Sequence, residues 1–362
     1  MNENVIFTGK NNFGFSAVLK ERVKSYFQTN GISNKCNALM VLKTVFYLGG
    51  FFTAYIFLMF GHLTELSMLG LAMCLGFFIS GIGFNIGHDA VHGAYSSNRL
   101  VNKILSYCFD LTGACSYTWK IRHTVIHHTY TNIIGSDGDL ESMPLLRFCV
   151  KPGRKFFHQI QHWYAPILYG FVTIVWVFKK DFKHMWEEGN SLHSRKKPPA
   201  SAYFSLIFFK VLHYVLFLVL PFFVLNLAFW KILLGFFAMH FVAGILLAFV
   251  FQLGHCVEGP AFIHPTLSNT VSDSWAEHQL KSTSNFEPRF FATWICGGLN
   301  YQIEHHLFPN ICHIHYPALS SIVQRTAKEF NLPYYFHKSF YQAFRSHLRM
   351  LKYFGRTDPV YS

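Results

Sequence analysis

Charge is what this sequence is short of. Asp, Glu, Lys and Arg make up 14% of its 362 residues, against about 25% in ordinary soluble domains. A chain so poor in charge, and 51% hydrophobic, is not an ordinary soluble enzyme. The eight cysteines, at 36, 74, 108, 115, 149, 256, 296 and 312, contain no C-x-x-C pair. That excludes a thiolate zinc site of the usual spacing and a redox dithiol, and leaves free thiols in a reducing compartment as the expectation. The first 38 residues are polar and mixed in charge, so they are not a secretory signal peptide. They also hold no histidine, the first being His62, so a haem that needs protein histidines has no place there. Internal repeats, low-complexity tracts and any basic–aromatic module for nucleic acid are missing as well.

Phenylalanine is abundant, with 41 copies, and much of it lies in long apolar runs. Leu39 to Gly61, Leu66 to Gly87, Tyr203 to Leu227 and Lys231 to Leu253 are each long enough to span, since about 20 residues at about 1.5 Å each cross a hydrocarbon core of about 30 Å. The pattern predicts an all-α integral membrane protein with four transmembrane helices in two hairpins, and Pro221 should kink the third. Tyr164 to Phe178 is too short to span comfortably and reads as an interfacial or buried helix. Phe290 to Tyr301 is expected at the interface. The net charge of +13 fits basic segments facing anionic headgroups. Only Lys231 falls at an outer turn, so the positive-inside rule makes both termini cytoplasmic. The basic run Arg195-Lys196-Lys197 ends the loop before the third span. The organisation expected is a cytoplasmic segment 1–38, a membrane domain 39–255 carrying a cytoplasmic histidine-rich insert 88–200, and a cytoplasmic part 256–362 of the same catalytic domain.

Three histidine clusters stand out: His88-Asp89-Ala90-Val91-His92, His123-Thr124-Val125-Ile126-His127-His128 and Gln302-Ile303-Glu304-His305-His306. His313 and His315 follow the last, and the acidic stretch Ser136 to Glu141 follows the second. All three clusters, with His255 at the end of the fourth span, fall on one predicted side of the membrane. A spacing of four places two side chains on one helical face. An adjacent histidine points about 100° further round, so it reaches a second metal, or the same metal from another direction. Neutral imidazole suits iron, copper and zinc. Eight such histidines exceed the needs of one ion, and two ions fit the count better. His213 and His240, inside the third and fourth spans, read as ordinary packing histidines.

The boxes H-D-A-V-H, H-T-V-I-H-H and Q-I-E-H-H, in this order and at these separations, resemble those of the membrane fatty acid desaturases, from about the first span to Leu319. Gln302 opening the third box, with His305-His306-Leu307-Phe308-Pro309 after it, resembles the front-end subgroup. Those enzymes place a new double bond between an existing one and the carboxyl end. The resemblance implies O2-dependent introduction of a cis double bond into an acyl chain, carried as an acyl-CoA such as linoleoyl-CoA, at a non-haem di-iron centre. It implies two iron ions held by His88, His92, His123, His127, His128, His255, His305 and His306. Gln302 is then a ligand or a neighbour of one, and Asp89 and Glu304 are groups that orient ligating imidazoles. Trp119, Lys120, Arg122 and Asn132 are candidates for holding an anionic headgroup. The His-Pro-Gly-Gly motif of a fused cytochrome b5 domain does not occur, which implies a separate electron donor, a ferredoxin or a cytochrome b5 with its reductase. The compact length resembles bacterial acyl-CoA desaturases and implies a multi-pass protein of a bacterial inner membrane with its active site on the cytoplasmic face. The competing readings are an acyl-lipid or sphingolipid desaturase or hydroxylase of the same family, and a membrane electron carrier with a haem between His213 and His240. A metal transporter fits poorly, because the spans are almost wholly apolar.

Overall fold

The computed structural model describes residues 5–9, 14–140, 145–149, 153–187, 197–266 and 268–358. Glu141, Arg195 and Lys196 lie outside these residues. Helices dominate, with two short parallel strand pairs among the described residues. The chain forms two compact units, one of residues 37–120 and 166–249, the other of residues 1–36, 121–165 and 250–362.

The first unit is built on four helices long and apolar enough to cross a membrane, Ala38–Phe60, Glu65–Val91, Ala200–Val224 and Phe229–His255. Each follows an apolar run of the sequence, and caps set two of the starts. Asn37 accepts from the Met40 amide at 3.2 Å and Thr64 from the Ser67 amide at 3.3 Å, each satisfying an N–H that has no partner in the first turn. Between 22% and 44% of each span's most apolar stretch is buried, so large apolar side chains such as Phe52, Ile56, Phe208, Phe223 and Leu234 face outward. A soluble bundle would turn them in; lipid does not require it. A methyl group at Gly76 would fall 2.1 Å from the Met239 carbonyl, so the second and fourth spans meet there at backbone distance.

Two of the spans are not regular. The second turns from α to π geometry over Gly83–Gly87, just before His88. The third does the same over Val215–Val219, just before Pro221. Proline has no N–H and its ring crowds the preceding turn, and the wider turn takes up that break, so the disturbance expected at Pro221 lies one turn ahead of it. The stretch from Tyr164 to Phe178 is divided among helices Gln161–Tyr169 and Val172–Val175 and the π turn Trp176–Lys180. From Gly170 on, it packs inward on the third and fourth spans. Thr173 donates to the His240 carbonyl at 2.8 Å, and Phe178 stacks on Tyr214 at 5.3 Å.

An ion pair lies deep in this unit. Lys210 is 2% exposed, and its ammonium meets Asp181 at 2.7 Å and the Gly113 carbonyl. Asp181 in turn accepts from Thr118 at 3.3 Å. The pair ties the third span to the turn that leads into the second histidine box.

The second unit is the polar one. Phe15, Leu19 and Val23 recur along helix Phe15–Thr29 and enter a core with Ile303, Leu307, Leu319, Val323 and Ala327. Strand Ile6–Phe7 pairs with Thr270–Val271, and Ser284–Phe286 with Tyr335–His337, both in parallel. Helix Phe290–Ile295, from the stretch expected at the interface, exposes Phe290 and Phe291.

Breaking a buried ion pair by removing one partner strands the other charge and costs about 3–5 kcal/mol, whereas replacing both by apolar residues is nearly neutral. Lys210→Met should therefore lower stability by about that amount, and Lys210→Met with Asp181→Leu should recover most of it. Thermal unfolding of the detergent-solubilised variants checks this.

Candidate metal centre

The second histidine box lies on a helical run whose middle, Lys120–His127, is π-helical between short α turns Ser116–Trp119 and His128–Tyr130. The sequence spacing suggested an ordinary helix. Within this run the His123 and His127 rings stack at 5.3 Å and 19°. His128 turns away, its ring at 85° to that of His127. The third box is the short helix Gln302–Leu307, buried along its whole length. His255 ends the fourth span.

Six histidines of the polar unit converge on one another. His127 Nε2 lies 3.3 Å from His255 Nε2. His128 Nε2 lies 3.2 Å from His123 Nε2 and 2.9 Å from His305 Nε2. The His306 ring packs 4.9 Å from that of His255 and 4.3 Å from that of His128. One cluster is His127, His255 and His306, and a second joins His128 to His305 and His306. All six side chains are buried.

In three of them the other ring nitrogen faces an acceptor or a hydroxyl. His127 Nδ1 meets Asp137 at 3.1 Å. His306 Nδ1 meets the Gln279 carbonyl oxygen at 2.8 Å and Thr131 Oγ1 at 3.2 Å. His305 Nδ1 meets the Tyr316 hydroxyl at 3.3 Å. These partners assign the ring hydrogens of His127 and His306 to Nδ1, so their Nε2 atoms carry lone pairs. Burial pushes the Asp137 carboxyl up, but the His127 ring and the Asn132 and Asp139 amides outweigh it and hold that carboxyl below its usual range.

Inward lone pairs at this spacing are what a shared cation requires. Two nitrogens bound to one first-row metal at about 2.0–2.1 Å stand about 2.9–3.4 Å apart. A carboxylate or amide oxygen on the far nitrogen is the usual support for a ligating imidazole. The donor set is imidazole without thiolate, which suits iron, copper, nickel and zinc. No disulfide joins any of the eight cysteines, all of them among the described residues. The residues therefore fit a metal centre.

Gln302 belongs to this cluster. Its amide nitrogen lies 2.8 Å from His255 Nε2 and 3.4 Å from His306 Nε2. Its Oε1 is buried with no hydrogen-bond partner among the described residues, and exchanging the two amide atoms turns an oxygen toward the same nitrogens. A methyl group at Gly254 would fall 2.7 Å from the Gln302 side chain, so glycine lets the third box approach the end of the fourth span. Glu304 is turned elsewhere. Its oxygens accept from Asn285 at 2.7 Å and Tyr334 at 2.9 Å, and burial pushes its carboxyl up to about 7 in spite of both bonds. It braces the third box rather than orienting an imidazole.

In the apolar unit, His88 and His92 bring their rings within 4.7 Å of each other. Asp89 is buried, 3.9 Å from His88 Nδ1. Trp119, a candidate for headgroup binding, packs 5.4 Å from the His88 ring and 4.7 Å from Phe109. His213 and His240 do face each other, but their Nε2 atoms are 3.1 Å apart. Two axial imidazoles on a haem iron need about 4 Å, twice an ordinary metal–nitrogen bond, so the pair is a direct hydrogen bond.

Asn132 corrects a second headgroup expectation. It is 1% exposed, in a left-handed turn at φ 55°, and donates to the His255 and Ser282 carbonyls. His315 is structural too, bonded to the Lys35 carbonyl at 3.1 Å. Asp137, Gln279, Thr131 and Tyr316 were missed. A trace of Asp137 was legible in the acidic stretch ten residues past His127; the others carry no local signal.

The family model for fatty acid desaturases matches residues 64–338. An acyl-lipid (8-3)-desaturase of the moss Physcomitrium patens is 36% identical over 96% of this chain and 73% of its own length. An sn-1 linoleoyl-lipid 6-desaturase of the cyanobacterium Synechocystis is 35% identical over 98% of this chain and 99% of its own length. An acyl-lipid (8-3)-desaturase of Mortierella alpina is 31% identical over 94% and 78%. Relatives from such different organisms leave the compact length without bearing on the source.

Loss of an oxygen that supports a ligating imidazole typically costs about 10–100-fold in metal affinity. Asp137→Asn should fall in that range, with helix content unchanged by circular dichroism. A competition titration with a metal-binding dye measures it.

Proposed function

The chain belongs to the fatty acid desaturase family, and on that premise we propose that it inserts a cis double bond on the carboxyl side of an existing one in a lipid-linked acyl chain. As a member of the family it is an oxidoreductase. The observation that carries the reading is the set of buried imidazole nitrogens turned on one another. Two iron ions fit this donor set, held by His123, His127, His128, His255, His305 and His306, with His88 and His92 joining them on the family's pattern of boxes. Iron bound there supplies the O2-dependent oxidation that removes one hydrogen from each of two neighbouring methylenes.

The protein's own groups do the positioning. Asp137 and Gln279 fix the ring hydrogens of His127 and His306 on Nδ1 and leave Nε2 as donor. Gln302, neutral and beside His255, would offer a bound metal a weak oxygen donor. Burial of all six rings keeps bulk water from their nitrogens.

The carrier is read from the relatives. Those named act on acyl-lipid or linoleoyl-lipid, which favours a membrane lipid over acyl-CoA. The apolar unit holds a cavity of about 300 Å³ lined by Leu69, Ala72, Leu75, Phe217, Gly235 and Met239, among others. Its lining suits the hydrocarbon end of an acyl chain, and filling it should limit chain length. The four spans form two hairpins with the active site on the cytoplasmic side, the arrangement favoured by the placing of Lys and Arg. Electrons arrive from a separate ferredoxin or cytochrome b5.

Expression in a host supplied with linoleate, followed by gas chromatography–mass spectrometry of each lipid class, tests the reading. A product two mass units lighter is expected in the lipid fraction first, its new bond on the carboxyl side, and none with His306→Ala. A product heavier by one oxygen would mean hydroxylation instead. Gly235→Leu should leave the bond position unchanged and lower the ratio of long-chain to short-chain product several-fold.

A further inference from the structure

The last turn of the fourth span presents a problem that the rest of the polar unit solves. The final carbonyls of a helix have no N–H ahead of them to accept from. Here the last of them and the carbonyl that follows it are bonded by side chains from far along the chain. Asn132 Nδ2 donates to the His255 carbonyl at 3.3 Å. His347 Nδ1 donates to the Cys256 carbonyl at 2.7 Å. His347 sits in the middle of the C-terminal helix Phe340–Arg356 and is fully buried. Burial pushes its imidazole down to about 4, so the ring is neutral and has one hydrogen to give.

The helix that carries His347 is itself held along its length. Ser346 Oγ accepts from the Glu258 amide at 2.7 Å, so the turn beyond His255 is bonded at two successive residues of this helix. Phe354 packs its ring 4.8 Å from Phe262. At the C-terminal end, the buried Arg147 donates to the Phe354 carbonyl, to the Thr357 carbonyl at 2.8 Å and to Asp358 at 2.6 Å. Gln161 donates to the Leu351 carbonyl at 2.7 Å. A guanidinium at a helix C-terminus satisfies its last carbonyls and favours its dipole. His347 is thus a fixed donor on a fixed helix, one peptide away from His255.

We propose that His347 is a positioning residue of the metal centre: through the Cys256 carbonyl it fixes the end of the fourth span, and so the direction in which His255 presents its Nε2. The proposal rests on the reading of His255 as a ligand. It assigns to the C-terminal helix a part in metal binding, although none of its residues belongs to the histidine boxes.

Asparagine reproduces the Nδ1 donor of histidine, glutamine reproduces the Nε2 position, and leucine has no donor. The full-length protein is loaded with iron, and its iron per chain and Mössbauer spectrum are compared among wild type, His347→Leu, His347→Asn and His347→Gln. His255→Ala serves as reference. His347→Leu is expected to lose about half of the iron or to show an altered spectrum, while kcat falls at least tenfold and KM stays within twofold. His347→Asn should restore both iron and spectrum. If His347→Leu does not accumulate as folded protein, the contrast of Asn with Gln decides: Asn keeps the centre and Gln does not. Wild-type iron and spectrum in His347→Leu, or equal behaviour of Asn and Gln, would overturn the proposal. Wild-type iron in His255→Ala would instead overturn the ligand reading on which it stands.

Discussion

Six buried imidazoles turned on one another form the constraint on which the polar unit depends. Lone pairs 2.9–3.3 Å apart repel unless a proton or a cation lies between them, and bulk water is absent to screen them. The features of the surrounding fold hold that arrangement in place. On the run Lys120–His127 His123 stacks on His127, and His128 is turned the other way. Asp137, Gln279 and Tyr316 meet the outer ring nitrogens of His127, His306 and His305. Gly254 brings Gln302 against the end of the fourth span.

The two units answer to different solvents. The apolar unit leaves its large hydrocarbon side chains outside and admits very little charge, which is why the sequence as a whole is charge-poor. Its buried ion pair, Lys210 with Asp181, fastens the turn before the second box. The polar unit is organised as a soluble domain is, with a core of Phe15, Leu19, Val23 and Leu319 under its histidines. Both contain a buried histidine pair at short range, and context separates them. His213 and His240 have a lysine close by in the chain and bond directly to each other. His127 and His255 have a carboxylate behind them and more imidazoles in front.

Much of this was legible before any coordinates. The four spans follow from run length alone, and their ends fall within a few residues of the apolar runs, because in a membrane the run is the span. The boxes follow from spacing and from the chemistry of imidazole. What was not legible came from contacts between segments far apart in sequence. Gln279 lies 27 residues from the His306 that it supports, and nothing local marks it. Asn132 looked like a loop residue beside a basic stretch, yet its left-handed turn sends the amide inward to the His255 carbonyl. The π turns escaped because a π turn inside a longer helix keeps the same apolar run as an α turn. Phe15, Leu19 and Val23 were visible at helical spacing but lay in a segment judged by its polarity.

The most direct test of the central claim is an anomalous-scattering map of the crystallised, iron-loaded protein, recorded at the iron edge. The account predicts two peaks per chain, one among the Nε2 atoms of His127, His255 and His306 and one among those of His123, His128 and His305. A single peak, or peaks lying away from these nitrogens, would contradict it.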